Sequence, residues 1–169
     1  AEISSKQYVF KGMVRRRLTV EEFSDAVSSN IAPVFADSLV KYQPSKEKLH
    51  AFARASLVMN NSFLTALGRP NRENVSTSRD SQANLLQALE MTNGSRFNDA
   101  LLKGAGDWMK KYSNTDAIVY ATFDRLLYRQ PTQNEFASAK QLLGKEAGKE
   151  QVADLLWAVV LLPEFQLIY

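Results

Sequence analysis

Residues 114–161, NTDAIVYATFDRLLYRQPTQNEFASAKQLLGKEAGKEQVADLLWAVVL, decide the fold class of this chain. Apolar side chains recur there at intervals of three and four residues, which places them along one side of an α-helix. The pattern predicts three helices, over about residues 115–128, from Thr132 to Gly144, and over about residues 149–161. Because only a few residues separate them, neighbouring helices are expected to run antiparallel. The apolar faces consist of Val119, Phe123, Leu126 and Leu127, then Phe136, Ala139, Leu142 and Leu143, then Val152, Leu155, Leu156, Val159 and Val160.

Capping residues mark where these helices begin. Asn114 is suited to cap the first, since a short polar side chain can accept a free N–H of the first turn. Thr132 and Glu135 have the spacing of a capping box, in which each side chain bonds the other residue's backbone N–H. Pro163 is suited to open a final turn through Phe165 to Ile168, because proline favours the first helical position.

The N-terminal part is less regular. Residues 1–18 lack helical periodicity and are expected to be extended or irregular. A second capping box at Thr19 and Glu22 predicts a helix over about residues 20–30. Short helices are expected at Lys46–Phe52 and at Ser62–Leu67, the second of them stopped by Gly68 and Pro70.

Between these parts, Asp80 or Ser81 can cap a helix that runs to about Asn93 and ends at Gly94 in a left-handed conformation. We expect its leucines, Leu85, Leu86 and Leu89, to face inward. Ser95 can cap the next helix, which Gly104 and Gly106 are expected to interrupt before a short helix at Trp108–Tyr112.

Together these elements predict an all-α fold, an irregular helical bundle of about six to eight helices with an extended N-terminal segment. We expect one domain over residues 1–169, with a lead-in at 1–18, a loop-rich helical part at 19–113, and compact antiparallel helices at 114–169. The chain opens AEISSK, without an initiator Met or a signal peptide, so we interpret it as a processed or excised piece of a larger protein.

Composition narrows the functional classes. The 169 residues are 45% hydrophobic and 23% charged, the balance of an ordinary globular domain. The net charge of +3, from 21 basic and 18 acidic residues, is smaller than a dedicated nucleic-acid binder usually carries. The absence of cysteine excludes disulfides, thiolate metal sites and covalently attached haem within the chain. The longest apolar run, Leu155–Pro163, is too short to cross a bilayer, which needs about 20 residues.

The densest cluster of charge is Arg69, Arg72 and Arg79 with Glu73 and Asp80. One interpretation is a site for anions such as sulfated or carboxylated sugars, because guanidinium groups pair well with such ligands. The other is a set of arginine–carboxylate pairs that braces an irregular loop and caps the following helix. We favour the structural interpretation.

Other candidate functional residues show weaker signs of a binding or catalytic site. Lys11 and Arg15–Arg17 form a basic cluster that has no accompanying aromatic platform. We therefore expect a solvated or interdomain surface there and do not expect nucleic-acid binding. The single histidine, His50, lacks the clustered ligands of a metal site.

Glu21 and Glu22 point to different sides of a helix and cannot act as a catalytic pair. Trp108 is expected in the core, with sugar stacking as the alternative. A non-covalent haem would need His50 or a methionine as its ligand, namely Met13, Met59, Met91 or Met109.

Long, ordered motifs carry a family resemblance. They are RRRLTVEEFSDAV at 15–27, RASLVMNNSFLTALGRPNRENVSTSRDSQANLLQALEMTNG at 54–94, and the pattern FDRLLYRQPTQNEF … VADLLWAVVLLPEF that begins at residue 123. Nearly the whole chain resembles the C-terminal domain of unknown function of planctomycete-type secreted proteins, where it follows a cytochrome-c-like segment and a second domain of unknown function. The resemblance implies a periplasmic or cell-surface setting and supplies no catalytic residues.

These observations predict a non-catalytic accessory or interaction domain of a larger extracytoplasmic protein. Its expected partners are upstream domains of the same parent protein, and no catalytic residue, metal or cofactor is expected in this chain. One alternative is a binding module for anionic polysaccharides that uses Arg69, Arg72 and Arg79. A second is part of a redox or hydrolytic enzyme whose active site lies in other domains.

Overall fold

A computed structural model of the chain describes residues 15–36, 52–70 and 85–168, and these ranges are mostly helical. The strands in these ranges are each only two residues long, so the predicted all-α fold class is confirmed. In chain order the elements are β1 Arg16–Arg17, α1 Val20–Asn30, a 3₁₀ turn at Ala55–Leu57, α2 Ser62–Ala66, α3 Leu85–Asn93, α4 Ser95–Lys111, α5 Thr115–Leu127, α6 Gln133–Leu143, α7 Lys149–Val160, α8 Pro163–Gln166 and β2 Leu167–Ile168.

Helix α7 lies at the centre of the C-terminal packing. It contacts α4, α5 and α6, and its most extensive contact is with α4. All five residues of its predicted apolar stripe are buried, which confirms the stripe. Burial of a leucine or valine side chain stabilises a fold by about 1.5–3 kcal/mol. The stripe therefore accounts for much of the cohesion between these helices.

Three of the predicted helix starts are confirmed. Asn114 accepts the N–H of Ala117 at 2.8 Å, and both capping boxes are complete, at Thr19 with Glu22 and at Thr132 with Glu135. Helix α5 ends one residue early, at Tyr128 in the left-handed region (φ 55°).

The predicted final turn is only partly correct. Helix α8 stops at Gln166, and Leu167 and Ile168 instead form β2. This strand pairs antiparallel with β1, with Arg17 opposite Leu167, and Leu18 N–H donates to Gln166 O at 2.8 Å. The ladder holds the start of α1 beside the end of α8. Sequence periodicity misses it because the pairing joins opposite ends of the chain.

The predicted break at Gly104 and Gly106 is wrong, since α4 runs through both glycines without interruption. At Gly104 the reason for a glycine is close packing rather than a turn. A Cβ there would lie 2.2 Å from Ile31 Cγ2, so α4 approaches the end of α1 where a side chain would collide. At Gly106 the nearest atom to such a Cβ is Lys149 Cε, at 3.4 Å.

Helix α3 departs most from expectation. Leu85, Leu86 and Leu89 were predicted to face inward, yet they are 76%, 54% and 48% exposed. The side that packs inward carries Met91, which is buried, and Gln87, which is half-buried. The predicted cap at Asp80 or Ser81 lies outside the described residues.

The junction between α3 and α4 is also different from the prediction. Gly94 is not left-handed, because its φ is −66°, and it is Gly94 rather than Ser95 that occupies the N-cap position of α4. Its Cβ would lie 2.3 Å from Glu90 O, so a glycine is needed for this close approach.

The remaining differences are small. Helix α2 and its stop at Gly68 are confirmed, with Gly68 at φ 93°. On α6, Ala139 and Leu143 are buried as predicted, whereas Leu142 is 41% exposed. The predicted short helix at Lys46–Phe52 lies outside the described residues except at Phe52. No helix in the described ranges combines the length and the apolar character needed to cross a membrane.

Candidate functional site

Arg69 occupies a buried position directly after α2. The turn that places it there depends on Gly68, whose positive φ a residue with a Cβ adopts only with strain. Gly68 N–H donates to Thr65 O at 3.0 Å and Arg69 N–H to Leu64 O at 2.9 Å. These two bonds form a Schellman motif, which reverses the chain and turns the Arg69 side chain back toward the 3₁₀ turn.

The Arg69 guanidinium holds the loop around that 3₁₀ turn. Nη1 donates to Ala55 O at 3.3 Å and to Val58 O at 2.9 Å, while Nη2 donates to Ser56 O at 3.2 Å. Its Nε lies 3.3 Å from Glu21 Oε1 on α1, and Arg69 is only 8% exposed. Because its donors are directed at protein oxygens, Arg69 acts here as a structural group.

A second carboxylate of α1 supports the same loop. Asp25, one helical turn after Glu21, accepts the N–H of Ala55 at 2.8 Å and pairs with Arg54 Nε. Glu22 points elsewhere and accepts Arg16 Nη1 and Nη2 at 2.9 and 2.8 Å, which confirms that Glu21 and Glu22 do not form a pair. Glu21 and Asp25 are four residues apart, which places both carboxylates on the same side of α1. This spacing is the signal in the sequence that the two residues could support one loop together.

The arginine cluster predicted from the sequence is described only in part. Arg69 is described, whereas Arg72, Glu73, Arg79 and Asp80 lie outside the described residues, so the cluster as a whole stays a prediction. The carboxylate that the structure places beside Arg69 is Glu21, which precedes it by far in the chain.

Arg129 is the centre of a second charged cluster, between the end of α5, the start of α6 and α8. Nη1 and Nη2 donate to Glu135 at 2.9 and 2.7 Å, while Nε and Nη2 donate to Glu164 at 2.7 and 3.0 Å. The guanidinium carbon also lies 5.4 Å from the centre of the Phe123 ring. Two carboxylates therefore share one arginine, and the network joins three helices.

Hydrogen bonds from Arg129 keep both carboxylates ionised. They lower the pKa of Glu135 from 4.5 to about 2, assisted by the Thr132 N–H and hydroxyl, and they also lower the pKa of Glu164. Arg16 has the same effect on Glu22, whose pKa falls to about 2. A general acid at neutral pH needs a raised carboxyl pKa, so these shifts indicate structural ion pairs.

These pairs predict an acid-sensitive fold. Since Glu22 and Glu135 have folded pKa values of about 2 against an ordinary 4.5, they bind protons more readily when the chain unfolds. Their contribution is complete above pH 4.5 and is lost as the pH falls toward 2. We expect the free energy of unfolding, measured by denaturant titration, to fall across that window and Glu135→Gln to flatten the fall. An unchanged slope in the variant would contradict this assignment.

The basic N-terminal cluster forms a surface in its described part. Arg16 pairs with Glu22, and Arg17 Nη2 donates to Gln166 Oε1 at 3.0 Å. Arg15 is exposed, and Lys11 lies outside the described residues.

The candidates for metal, haem and sugar chemistry are dispersed. Among described residues, no three histidine or acidic side chains group as metal ligands would. His50 and Met13 lie outside the described residues, Met91 is buried, and Met59 and Met109 are exposed. Trp108 is 4% exposed, which confirms its place in the core.

Two open clefts lie on the surface of the described residues. One, of about 340 Å³, lies between the α4–α5 and α6–α7 connections and is lined by Tyr112, Asn114 and Lys145 among others. The other, of about 250 Å³, lies at the start of α4 and includes Arg96, Asp99 and Lys103. Asp99, Lys103, Asn114 and Lys145 are exposed side chains, so neither cleft brings buried polar groups together.

Comparison with known protein families gives a match over most of the chain. The model of the family described as PSD1, protein of unknown function (DUF1553), matches residues 1–143. The match extends from the start of the chain to the end of α6. No curated protein and no solved structure matches the chain.

Proposed function

The chain belongs to the PSD1 family of proteins of unknown function (DUF1553), and we propose that it is a non-catalytic accessory domain of a larger protein. In this role it packs against upstream domains of the same polypeptide. The setting we propose is extracytoplasmic, in the periplasm or at the cell surface, after a cytochrome-c-like segment. Support for that setting comes from the sequence motifs at 15–27 and 54–94.

One observation carries the proposal. Leu85, Leu86 and Leu89 lie side by side on the outer face of α3, and each is about half exposed or more. Single exposed leucines are ordinary, but adjacent apolar side chains on one helix face are typical of an interaction surface. We name these three residues the α3 leucine face.

The state of the charged residues supports the same role. Arg69, Arg129 and Arg16 each face carboxylates of the chain. The arginines Arg129 and Arg16 lower the pKa of the carboxyl groups that they contact. Such pairs orient loops and helix ends, which is the work of a scaffold. A rigid framework that presents an apolar face suits an accessory domain.

The proposal predicts that the parent polypeptide stabilises this domain. Binding to the folded state alone raises the melting temperature, and 1 kcal/mol corresponds to about 2–4 °C in a domain of 150–250 residues. We expect calorimetry to show a higher melting temperature for these residues in the parent polypeptide than in the isolated chain. The parent polypeptide unfolds in more than one thermal transition. Hydrogen exchange measured on peptides from α7 identifies the transition in which this domain unfolds. Equal melting temperatures would exclude packing against upstream domains.

A further inference from the structure

Asn93 and Gly94, at the junction between α3 and α4, form a pair of residues that can react without an enzyme. No other asparagine of the chain is followed by glycine. We infer that Asn93 is a site of spontaneous deamidation and that its products loosen the end of α3. This modification is independent of the accessory role, because its only co-reactant is solvent water.

The nucleophile of the reaction is the backbone nitrogen of Gly94. After this nitrogen loses its proton to solvent, it bonds to Cγ of Asn93, the Cγ–Nδ2 bond breaks, and the amide nitrogen takes up a proton and leaves as ammonia. Water then opens the succinimide ring at either of its carbonyl carbons, which gives aspartate or isoaspartate. A glycine nitrogen is the least hindered nucleophile for this step, since glycine carries no Cβ.

The junction leaves the carboxamide of Asn93 open to attack. Asn93 is the last residue of α3 and is exposed. Among the described residues, none forms a hydrogen bond with its side chain. Gly94 has an extended conformation (φ −66°, ψ 119°), so the helical backbone of α3 ends at Asn93.

One hydrogen bond controls access to the nucleophile. Gly94 N–H donates to Glu90 O at 3.0 Å, and the nitrogen is protected while this bond holds. The bond closes the last turn of α3, a helix of 9 residues in which only Met91 is buried. Helices this short are marginal by themselves, and weakly packed helix ends open at far lower cost than a whole domain. The last turn therefore opens and exposes the Gly94 nitrogen while the domain stays folded.

Both products weaken the junction. The new carboxylate lies three residues after Glu90 at the C-terminal end of a helix, where negative charge is unfavourable. Isoaspartate lengthens the main chain by one carbon, so Gly94 N–H loses its register with Glu90 O. Fraying then reaches Met91, whose carbonyl accepts Trp157 Nε1–H at 2.8 Å and ties α3 to α7. Deamidation thus loosens α3 from α7.

Incubation of the folded chain at mildly alkaline pH tests the site. Peptide mass spectrometry should show the mass gain of a carboxamide converted to a carboxylic acid at Asn93, with isoaspartate among the products. Asn114 is the internal control, because it is also exposed but is followed by Thr115, and its Oδ1 accepts the N–H of Ala117 at 2.8 Å. Conversion of Asn114 as fast as Asn93 would overturn the assignment of the site.

The rate of conversion separates local from global opening. In the folded chain it should be roughly tenfold below the rate in the urea-unfolded chain, as expected for a helix end that opens locally. If the reaction required global unfolding, the folded chain would be slower by roughly a thousandfold or more. That result would overturn the role assigned to the last turn of α3.

The effect on α3 has its own measurement. Asn93→Ser removes the reactive amide and keeps Gly94, so it ages without this modification. After the same incubation, amide hydrogen exchange in the α3 peptide should be roughly tenfold faster in the converted wild type than in Asn93→Ser, while α5 peptides exchange equally. Asn93→Asp, which supplies the carboxylate alone, should reproduce part of the increase. Equal exchange of α3 in converted wild type and Asn93→Ser would show that deamidation does not loosen α3.

Discussion

Replacement of Arg69 by Met is expected to lower the free energy of unfolding by about 3–5 kcal/mol, the usual cost of removing one partner of a buried ion pair. Arg69 is 8% exposed and Glu21 has a side-chain exposure of 14%. The substitution would leave the Glu21 carboxylate without this cation and the carbonyls of Ala55, Ser56 and Val58 without these donors. Denaturant titration followed by circular dichroism measures the loss.

Two further variants distinguish hydrogen bonding from charge alone. Arg69→Lys keeps the charge but lacks the planar fork that reaches several carbonyls, so it should recover only part of the stability. Arg16→Met removes the exposed partner of Glu22 and should lower stability less than Arg69→Met does, because solvent screens an exposed pair. A loss in Arg69→Met no larger than in Arg16→Met would show that Arg69 does not brace the loop.

The second large effect is expected at Gly104. Gly104→Ala places a Cβ 2.2 Å from Ile31 Cγ2 and 3.2 Å from the Ile31 backbone carbonyl, within the core. Overpacking of this kind costs about 1–3 kcal/mol and outweighs the gain in helix propensity. We expect a lower melting temperature. Ile31→Ala should cost less stability in the Gly104→Ala background than in the wild type, since contacting residues are not additive.

Gly106 is the matched control on the same helix. Its Cβ would meet only the flexible Lys149 side chain, at 3.4 Å. Gly106→Ala should therefore stabilise the protein by about 0.5–1 kcal/mol, because alanine is the better helix former. Stabilisation by both substitutions would show that α1 and α4 are not in the close contact described.

Local sequence rules succeeded where neighbours in the chain decide the structure. The capping boxes at Thr19 and Thr132, the Asn114 cap and the stop at Gly68 depend on residues within one or two turns, and all are present. The α7 stripe was also predicted, because a wide apolar face has no stable position except the core.

Local rules failed where a distant segment decides. Gly104 reads as a helix breaker in its own window, but its role is set by Ile31 on another helix. The leucines of α3 match an inward face, yet Trp157 anchors the opposite side. The same limit applies to the candidate site. The sequence identifies Arg69 as a key residue, but it does not identify Glu21, which lies on a distant helix, as the partner of Arg69.

By itself, the sequence determined the all-α class, the starts of the main helices and membership of a family of unknown function. These depend on periodicity, capping and ordered motifs, which are properties of short stretches. Only the tertiary structure decided that Arg69 pairs with Glu21, that α4 is continuous at Gly104, and that the α3 leucine face points outward. Each of these depends on which surfaces meet when distant segments pack, and burial is settled by that packing rather than by local pattern.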